Sequence, residues 1–283
     1  MCIRDRVMIE LQKNTIKIMG ILNSTPDSFF MESRLIDNNF IDLQKYKHAD
    51  IIDVGFESSR PGANPLSEND EMIRLDNFLT HGPNFKQTLS IDSYKPQVAQ
   101  IALENGFNMI NDIKGGGKDG EMLEIAAIFK CPIVLMHMLG NPVTMQIKPY
   151  YDNIMDELKH YFETKIEFAK SFGIEENKII IDPGIGFGKR IIHNDTIINN
   201  LGELKQFGVP LLIGISRKSF ISINDDGAED RLPATLGATA LAVKNGADII
   251  RVHDVVENYR MLSVVSRIIQ RNNIKEKMVT NEI

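Results

Sequence analysis

Short apolar runs recur along the chain, separated by longer amphipathic stretches. The runs are "IKIMGILN" (16–23), "DIIDVGF" (50–56), "QTLSID" (87–92), "FNMINDI" (107–113), "CPIVLMH" (131–137), "KIIIDPG" (178–184), "VPLLIGIS" (209–216) and "DIIRVHD" (248–254). They are β-branched and nearly continuous in apolar character, the pattern of strands buried on both faces in a parallel sheet. Helical patterns lie between them: "IDNNFIDLQKYKHA", "SENDEMIRLDNFL", "KPQVAQIALENG", "DGEMLEIAAIFK", "YDNIMDELKHYFETKIEFAKSFG", "DTIINNLGELKQFG", "LPATLGATALAVKNG" and "VVENYRMLSVVSRIIQ". Ser67 and Asp70 have the spacing of a capping box. Pro96 stands near a helix start and Gly106 at its end. Ile154, Leu158, Phe162, Ile166 and Ala169 trace one helical face. Strict alternation predicts a parallel α/β sheet, and eight such units predict a closed (β/α)8 TIM barrel rather than an open doubly wound sheet. No composition break marks a linker, so a single barrel domain is predicted over 8–275.

Composition narrows the class. Of 283 residues, 43% are hydrophobic and 25% charged, which supports a packed core rather than a disordered chain. No apolar run approaches the ~18 residues of a membrane span, so no membrane partner is expected. Cys2 and Cys131 are the two cysteines, which argues against a disulfide framework and for a reducing, cytoplasmic setting. The net charge of −6 disfavours nonspecific nucleic-acid binding. An anionic substrate would therefore rest on a few local cations. The opening "MCIRDR" resembles a translated adapter end, and residues 1–7 are expected to be a non-native scar or a disordered start. Cys2 carries no weight on that basis. Residues 276–283 are expected to be a frayed tail.

In such a barrel the chemistry sits at the carboxyl ends of the strands. Those ends are Asn23, Asp53, Asp92, Asn111, His137, Asp182, Ser216-Arg217-Lys218 and Arg251-x-His253. A single polar residue there is commonly a turn residue; one at every strand end predicts a site. The ring lacks the convergent histidines of a zinc centre. Its acids and amides suit a heterocycle with donors and acceptors along one edge, such as an amino-pyrimidinone. Arg251, His253 and Arg60 belong to strands eight and two, neighbours of strand one in a closed ring, and are placed to share one anion with Asn23. His137 alternates with Met136 and should point away from the site. His48, His81, His160 and His193 are expected to be solvated, and Lys189 and Arg190 to be solvent-facing loop cations. "KIIIDPGIGFGK" (178–189) invites comparison with a phosphate loop. However, Gly184 to Gly188 is one residue short, and Arg190 stands where Ser or Thr should be. The stretch reads instead as a strand ending in Asp182, followed by a turn beside the heterocycle.

The motifs "MGILNSTPDSF", "DVGFESSRPGA", "SIDSYKP", "INDI", "VLMHMLGNPVTMQ", "DPGIGFGK", "GISRKSFI" and "RVHDV" resemble, in order, those of the dihydropteroate synthase family. The resemblance runs from about Ile16 to His253 and implies the same barrel. It implies condensation of 6-hydroxymethyl-7,8-dihydropterin diphosphate with 4-aminobenzoate, giving 7,8-dihydropteroate and pyrophosphate in folate biosynthesis. It also implies a Mg2+ cofactor with Asn23 as its protein ligand. Asp53, Asp92, Asn111, Asp182 and Lys218 are then pterin-site groups, with Met136 beneath the ring and Phe187 beside it. Arg251 and His253 grip the diphosphate. Ser59, Arg60 and Pro61 serve diphosphate and aminobenzoate, and Ser219 borders the aminobenzoate pocket. Asp92, Lys218 and Arg251 are the catalytic candidates, in a reaction where the carbon–oxygen bond breaks first and no covalent enzyme intermediate forms. A homodimer through the late helices and sensitivity to sulfonamides are also implied.

Two loops depart from the family pattern. After "NSTPDSF" the usual Ser-Asp-Gly-Gly is replaced by "FMES". Phe56 stands where a small residue is usual, and is expected to narrow the pocket and alter sulfonamide sensitivity. Rival expectations are a corrinoid pterin-dependent methyltransferase and a noncatalytic pterin-binding paralogue. The first has no diphosphate to hold, against which stand the Ser-Arg-Pro-Gly, Ser-Arg-Lys and Arg-x-His motifs. The second rests on the altered first loop alone.

Overall fold

The computed structural model describes the backbone of residues 15–23, 42–58, 65–141 and 144–280, and side chains up to residue 269. Among these residues eight strands form one sheet: β1 (Lys17–Asn23), β2 (Ile51–Gly55), β3 (Thr88–Asp92), β4 (Met109–Asp112), β5 (Ile133–Met136), β6 (Ile179–Asp182), β7 (Leu212–Ile213) and β8 (Ile249–Val252). All pairings are parallel, in the order β6-β5-β4-β3-β2-β1-β8-β7. A parallel bridge between Ile181 and Leu211, with Ile181 N–H donating to Pro210 O at 3.0 Å, brings β6 against the start of β7 and closes the ring. The chain is a (β/α)8 barrel, as the alternation predicts.

The helices are α1 (Glu68–His81), α2 (Pro96–Glu104), α3 (Glu121–Phe129), α4 (Ile154–Ser171), α5 (Ile191–Asn199), α6 (Leu232–Lys244) and α7 (Val255–Thr280). Ser67 caps α1 by accepting from Asp70 N–H at 3.1 Å, and Pro96 occupies the first turn of α2. Two elements differ from the sequence pattern. α5 starts at Ile191, where Arg190 N–H donates to His193 Nδ1 at 3.2 Å, and the chain tightens into a 3-10 helix over Leu201–Phe207. The α7 backbone continues to Thr280, through much of the segment read as a tail. Between β1 and β2 the described residues include a 3-10 turn, Leu43–Tyr46. Among the described residues no helix is long and apolar enough to cross a membrane.

Strand alternation sorts the side chains into two cores. Met19, Ile51, Met109, Val134, Ile180, Leu212 and Ile249 point inward and plug the barrel, each at most 1% exposed. Their neighbours Ile18, Ile52, Ile110, Ile133, Ile179, Ile181, Ile213 and Ile250 point outward under the helices. Burial on both faces is why the runs are continuously apolar. Two residues past the plug, the inward positions of β2, β4, β6 and β8 become polar: Asp53, Asn111, Asp182 and Arg251.

The same alternation corrects the expectation for Phe56. With Gly55 inward, Phe56 points outward; it is fully buried and meets Phe78 edge-on at 5.8 Å. It packs the layer between sheet and helices and does not narrow the mouth. Phe56→Ala should therefore cost about 3–5 kcal/mol of stability, the usual penalty for emptying a buried Phe site. Urea unfolding measures this, and a loss below about 1 kcal/mol would contradict the packing role.

Candidate active site

Arg251 organises the barrel mouth. Its Nε donates to Asp53 Oδ2 at 2.6 Å and its Nη2 to Asp92 Oδ2 at 2.5 Å. Asn111 Nδ2 donates to the same Asp53 oxygen at 2.8 Å. One cation thus spans two acids from different strands, and the amide fixes the orientation of the deeper one. Burial opposes the Arg251 charge, but Asp53 and Asp92 more than offset this, so the guanidinium stays protonated. Burial drives Asp92 the other way, up to about 7; Arg251 restrains the rise, while Asp53, Glu71 and Asp112 add to it.

Gly55 makes this arrangement possible. Asn23, Gly55 and Asp92 are register partners across β1, β2 and β3. A Cβ at Gly55 would lie 3.3 Å from Asp92 Oδ2 and 3.7 Å from Asn23 Oδ1. The missing side chain lets an amide oxygen and a carboxylate share the space above β2.

Asp182 and Lys218 form the opposite wall. Asp182 Oδ1 accepts from Gly184 N–H at 2.8 Å. Burial raises Asp182 from its ordinary value, against the pull of Lys218, the Gly184 N–H, Arg251 and Lys189. Burial lowers Lys218 to about 8, with Asp182 partly offsetting it. The Lys218 ammonium donates to Ile185 O and lies 4.6 Å from the Phe187 ring centroid. Met136 is buried and pairs in register with Asp182. His253 takes its N–H to Ser216 Oγ at 3.2 Å, and its Nδ1 lies 3.0 Å from that oxygen. Arg217, at φ +58°, is held by Asp254 through Nε at 2.8 Å and through Nη2 as well. The residues on either side of it can then face the mouth.

A cavity of about 1520 Å3 opens over these groups. Asn23, Asp92, Phe187, Lys218, Arg251 and His253 line it, as does Ser219. Asp53, Asn111, Met136 and Asp182 lie at the inward strand positions and are all at most 7% exposed. Ser59, Arg60 and Pro61, and the divergent first loop, fall outside the described residues. His137 does point away, with its ring 4.8 Å from that of Tyr161. Two expectations are overturned. Lys189 is 3% exposed and His193 7%, so neither is solvated. The chain turns back after Gly188 and carries Lys189 beneath its own loop, while His193 caps α5. Gly55, which makes room for Asn23 and Asp92 from the neighbouring strands, and Gln146, whose Nε2 donates to Gly186 O, carry no mark of these roles in the sequence; Asn194 Oδ1 accepts from the nearer Gly186 N–H.

A family model described as a pterin binding enzyme matches residues 19–253, a span that holds every strand-end residue above. The protein of Escherichia coli (strain K12) named dihydropteroate synthase is 41% identical over 256 residues, covering 88% of this chain and 90% of that one. The chain belongs to the dihydropteroate synthase family. A member from Clostridium beijerinckii is 40% identical over 265 residues, covering 90% and 94% of the two chains. Among solved members, the Yersinia pestis dihydropteroate synthase with a sulfonamide drug has a TM-score of 0.80 at 38% identity, covering 89% of this chain and 94% of that one. The Thermus thermophilus enzyme in complex with 4-aminobenzoate has a TM-score of 0.79 at 32% identity, covering 91% and 95%.

The raised Asp92 value has a consequence for stability. Its folded-state value lies above the ordinary 3.8, so its contribution to folding is fully present below that pH and fades as pH rises through about 7. Asp92→Asn should therefore flatten the fall in urea midpoint between about pH 5 and about pH 8. An unchanged fall would show that Asp92 does not titrate there.

Proposed function

We propose that the chain joins 6-hydroxymethyl-7,8-dihydropterin diphosphate to 4-aminobenzoate as the dihydropteroate synthase of a folate pathway, in the cytoplasm. The observation that carries this is the paired arrangement of Arg251 with Asp53 and Asp92 on one wall and Lys218 with Asp182 on the other. In the family frame, Asp182, Asn111 and Asp53 offer acceptors and a donor to the amino-pyrimidinone edge. Lys218 approaches the same ring, with Met136 below it and Phe187 beside it. Arg251 Nη1 takes no part in the two carboxylate bonds and, with His253, faces the departing diphosphate. Ser59, Arg60, Pro61 and Ser219 complete the aminobenzoate side.

The chemistry follows from these charges. As the methylene carbon–oxygen bond breaks, positive charge develops on the pterin and negative charge on the leaving pyrophosphate. The Asp92 carboxylate favours the first and the Arg251 guanidinium the second. The neutral arylamine then forms the carbon–nitrogen bond and gives up a proton. Mg2+ fits the donor set. Asn23 presents a hard amide oxygen near Asp92, and a metal that keeps waters and phosphate oxygens needs few protein ligands. When bound, the metal supplies further charge neutralisation for pyrophosphate.

Incubating the protein with pterin diphosphate, radiolabelled 4-aminobenzoate and Mg2+ should yield labelled dihydropteroate. Lys218→Ala should lower kcat/KM by about 10–100-fold, the worth of a hydrogen bond to a charged group. Pterin binding without product would overturn the assignment, and an unimpaired variant would remove Lys218 from the site.

A homodimer is part of the same proposal. Leu241 on α6 and Val264 and Ile268 on α7 are about half exposed, on two helices that pack together. Equilibrium sedimentation should read a dimer that Leu241→Glu weakens. A wild-type monomer at micromolar concentration would refute it.

A further inference from the structure

The site residues described above do not account for Lys189. Its ammonium is buried, yet no carboxylate lies within ion-pair distance of it among the described residues. Its partners are His137 Nδ1 at 2.9 Å, Phe187 O at 3.1 Å and His137 O at 3.3 Å. A buried cation held by neutral acceptors is costly and needs a compensating role.

Its place suggests one. Lys189 closes the loop after β6 onto itself at Phe187 and onto the end of β5 at His137. At Gly184 (φ +65°) a Cβ would lie 2.0 Å from His137 O and 3.4 Å from Lys189 Nζ, so the amine sits directly behind the residue whose N–H holds Asp182. The rest of the loop is tied down as well. Gly186 N–H donates to Asn194 Oδ1 at 2.9 Å, Gln146 Nε2 to Gly186 O at 2.6 Å, and Tyr151 OH to Gly188 O at 2.9 Å. Ile185 O and the Phe187 ring face Lys218. Asp182 therefore stands between two lysines, Lys218 on the cavity side and Lys189 behind.

We propose that Lys189 is a positioning residue for pterin recognition: from behind the loop its ammonium holds the Gly184 turn, and with it the Asp182 carboxylate, in place, and adds its charge to that of Lys218. The pterin part of this rests on the function proposed above. The groups facing Asp182 are Lys218 after β7, Arg251 on β8, and Lys189 and the Gly184 N–H of its own loop. Those around Lys189 are Asp182, Lys218 and the neutral His137, whose pKa burial and Lys189 lower to about 2. Burial lowers Lys189 itself to about 7, with Asp182 opposing this and Lys218 adding to it. The charge is thus present at acidic pH and fades above neutrality.

That fading separates charge from tethering. Lys189→Gln keeps an N–H donor without the charge. It should raise KM for the pterin substrate a few-fold near pH 6 and much less near pH 8.5, where the wild-type amine has itself lost most of its charge. The values of kcat and KM for 4-aminobenzoate should change little. A penalty independent of pH, or spread equally over both substrates, would reduce Lys189 to a structural tether and overturn the proposal. Carboxyl 13C NMR of the free protein reads the same coupling without substrate. Lys189→Gln should move the Asp182 midpoint upward even if the wild type makes no dihydropteroate, and an unmoved midpoint would refute the charge role. Should the Lys189 variants fail to fold, Asp182→Asn gives the reciprocal reading: the Lys189 ammonium pKa should fall, and an unchanged value would overturn the coupling.

Discussion

Everything at the barrel mouth depends on compensating carboxylates that the fold forces inward. Closing eight strands into a ring directs alternate side chains to the axis, and beyond the apolar plug those side chains include Asp53, Asp92 and Asp182. Unpaired, such groups would take up protons or unfold the strand ends. Arg251 reaches across from β8 to two of them, and Lys218 faces the third. The balance is incomplete. Asp92 remains raised to about 7 and Lys218 lowered to about 8, so both walls hold groups poised near neutrality. A ligand that brings its own donors and its own anion exchanges with these internal pairs without leaving a buried charge exposed.

Most of the fold is legible in the sequence because burial on both faces leaves a strong mark: continuous β-branched runs cut off by polar residues. The site is legible for the same reason. Period-two alternation places Asp182 inward and His137 outward once the strand ends are known. Where the sequence misleads, the cause is contact between distant segments. Phe56 stands next to a loop motif, yet alternation turns it toward Phe78 on α1. Lys189 and His193 are of residue types that usually face solvent, and nothing local reveals that a turn will carry a cation under its own backbone.

The glycine-rich stretch after β6 illustrates how one pattern serves different ends. In a phosphate loop, backbone N–H groups are left pointing at an anion. Here Gly184 (φ +65°), Gly186 (φ +81°) and Gly188 (φ +64°) are all left-handed, but their polar groups are taken up by the protein itself. That geometry lets the chain pass close to His137 and Leu139, where a Cβ would collide. The glycines trade ligand contact for rigidity.

That rigidity makes the two halves of the cavity unequal in evolutionary terms. A backbone whose donors and acceptors are already committed has little freedom to accept a substitution and re-aim. The wall around Asp182 is therefore held to one shape. The rim at Ser219 stands on a short 3-10 turn, Ser219–Ile221, whose side chains can change one residue at a time. On the function proposed above, new arylamine selectivity has room to arise there while the pterin half stays as it is.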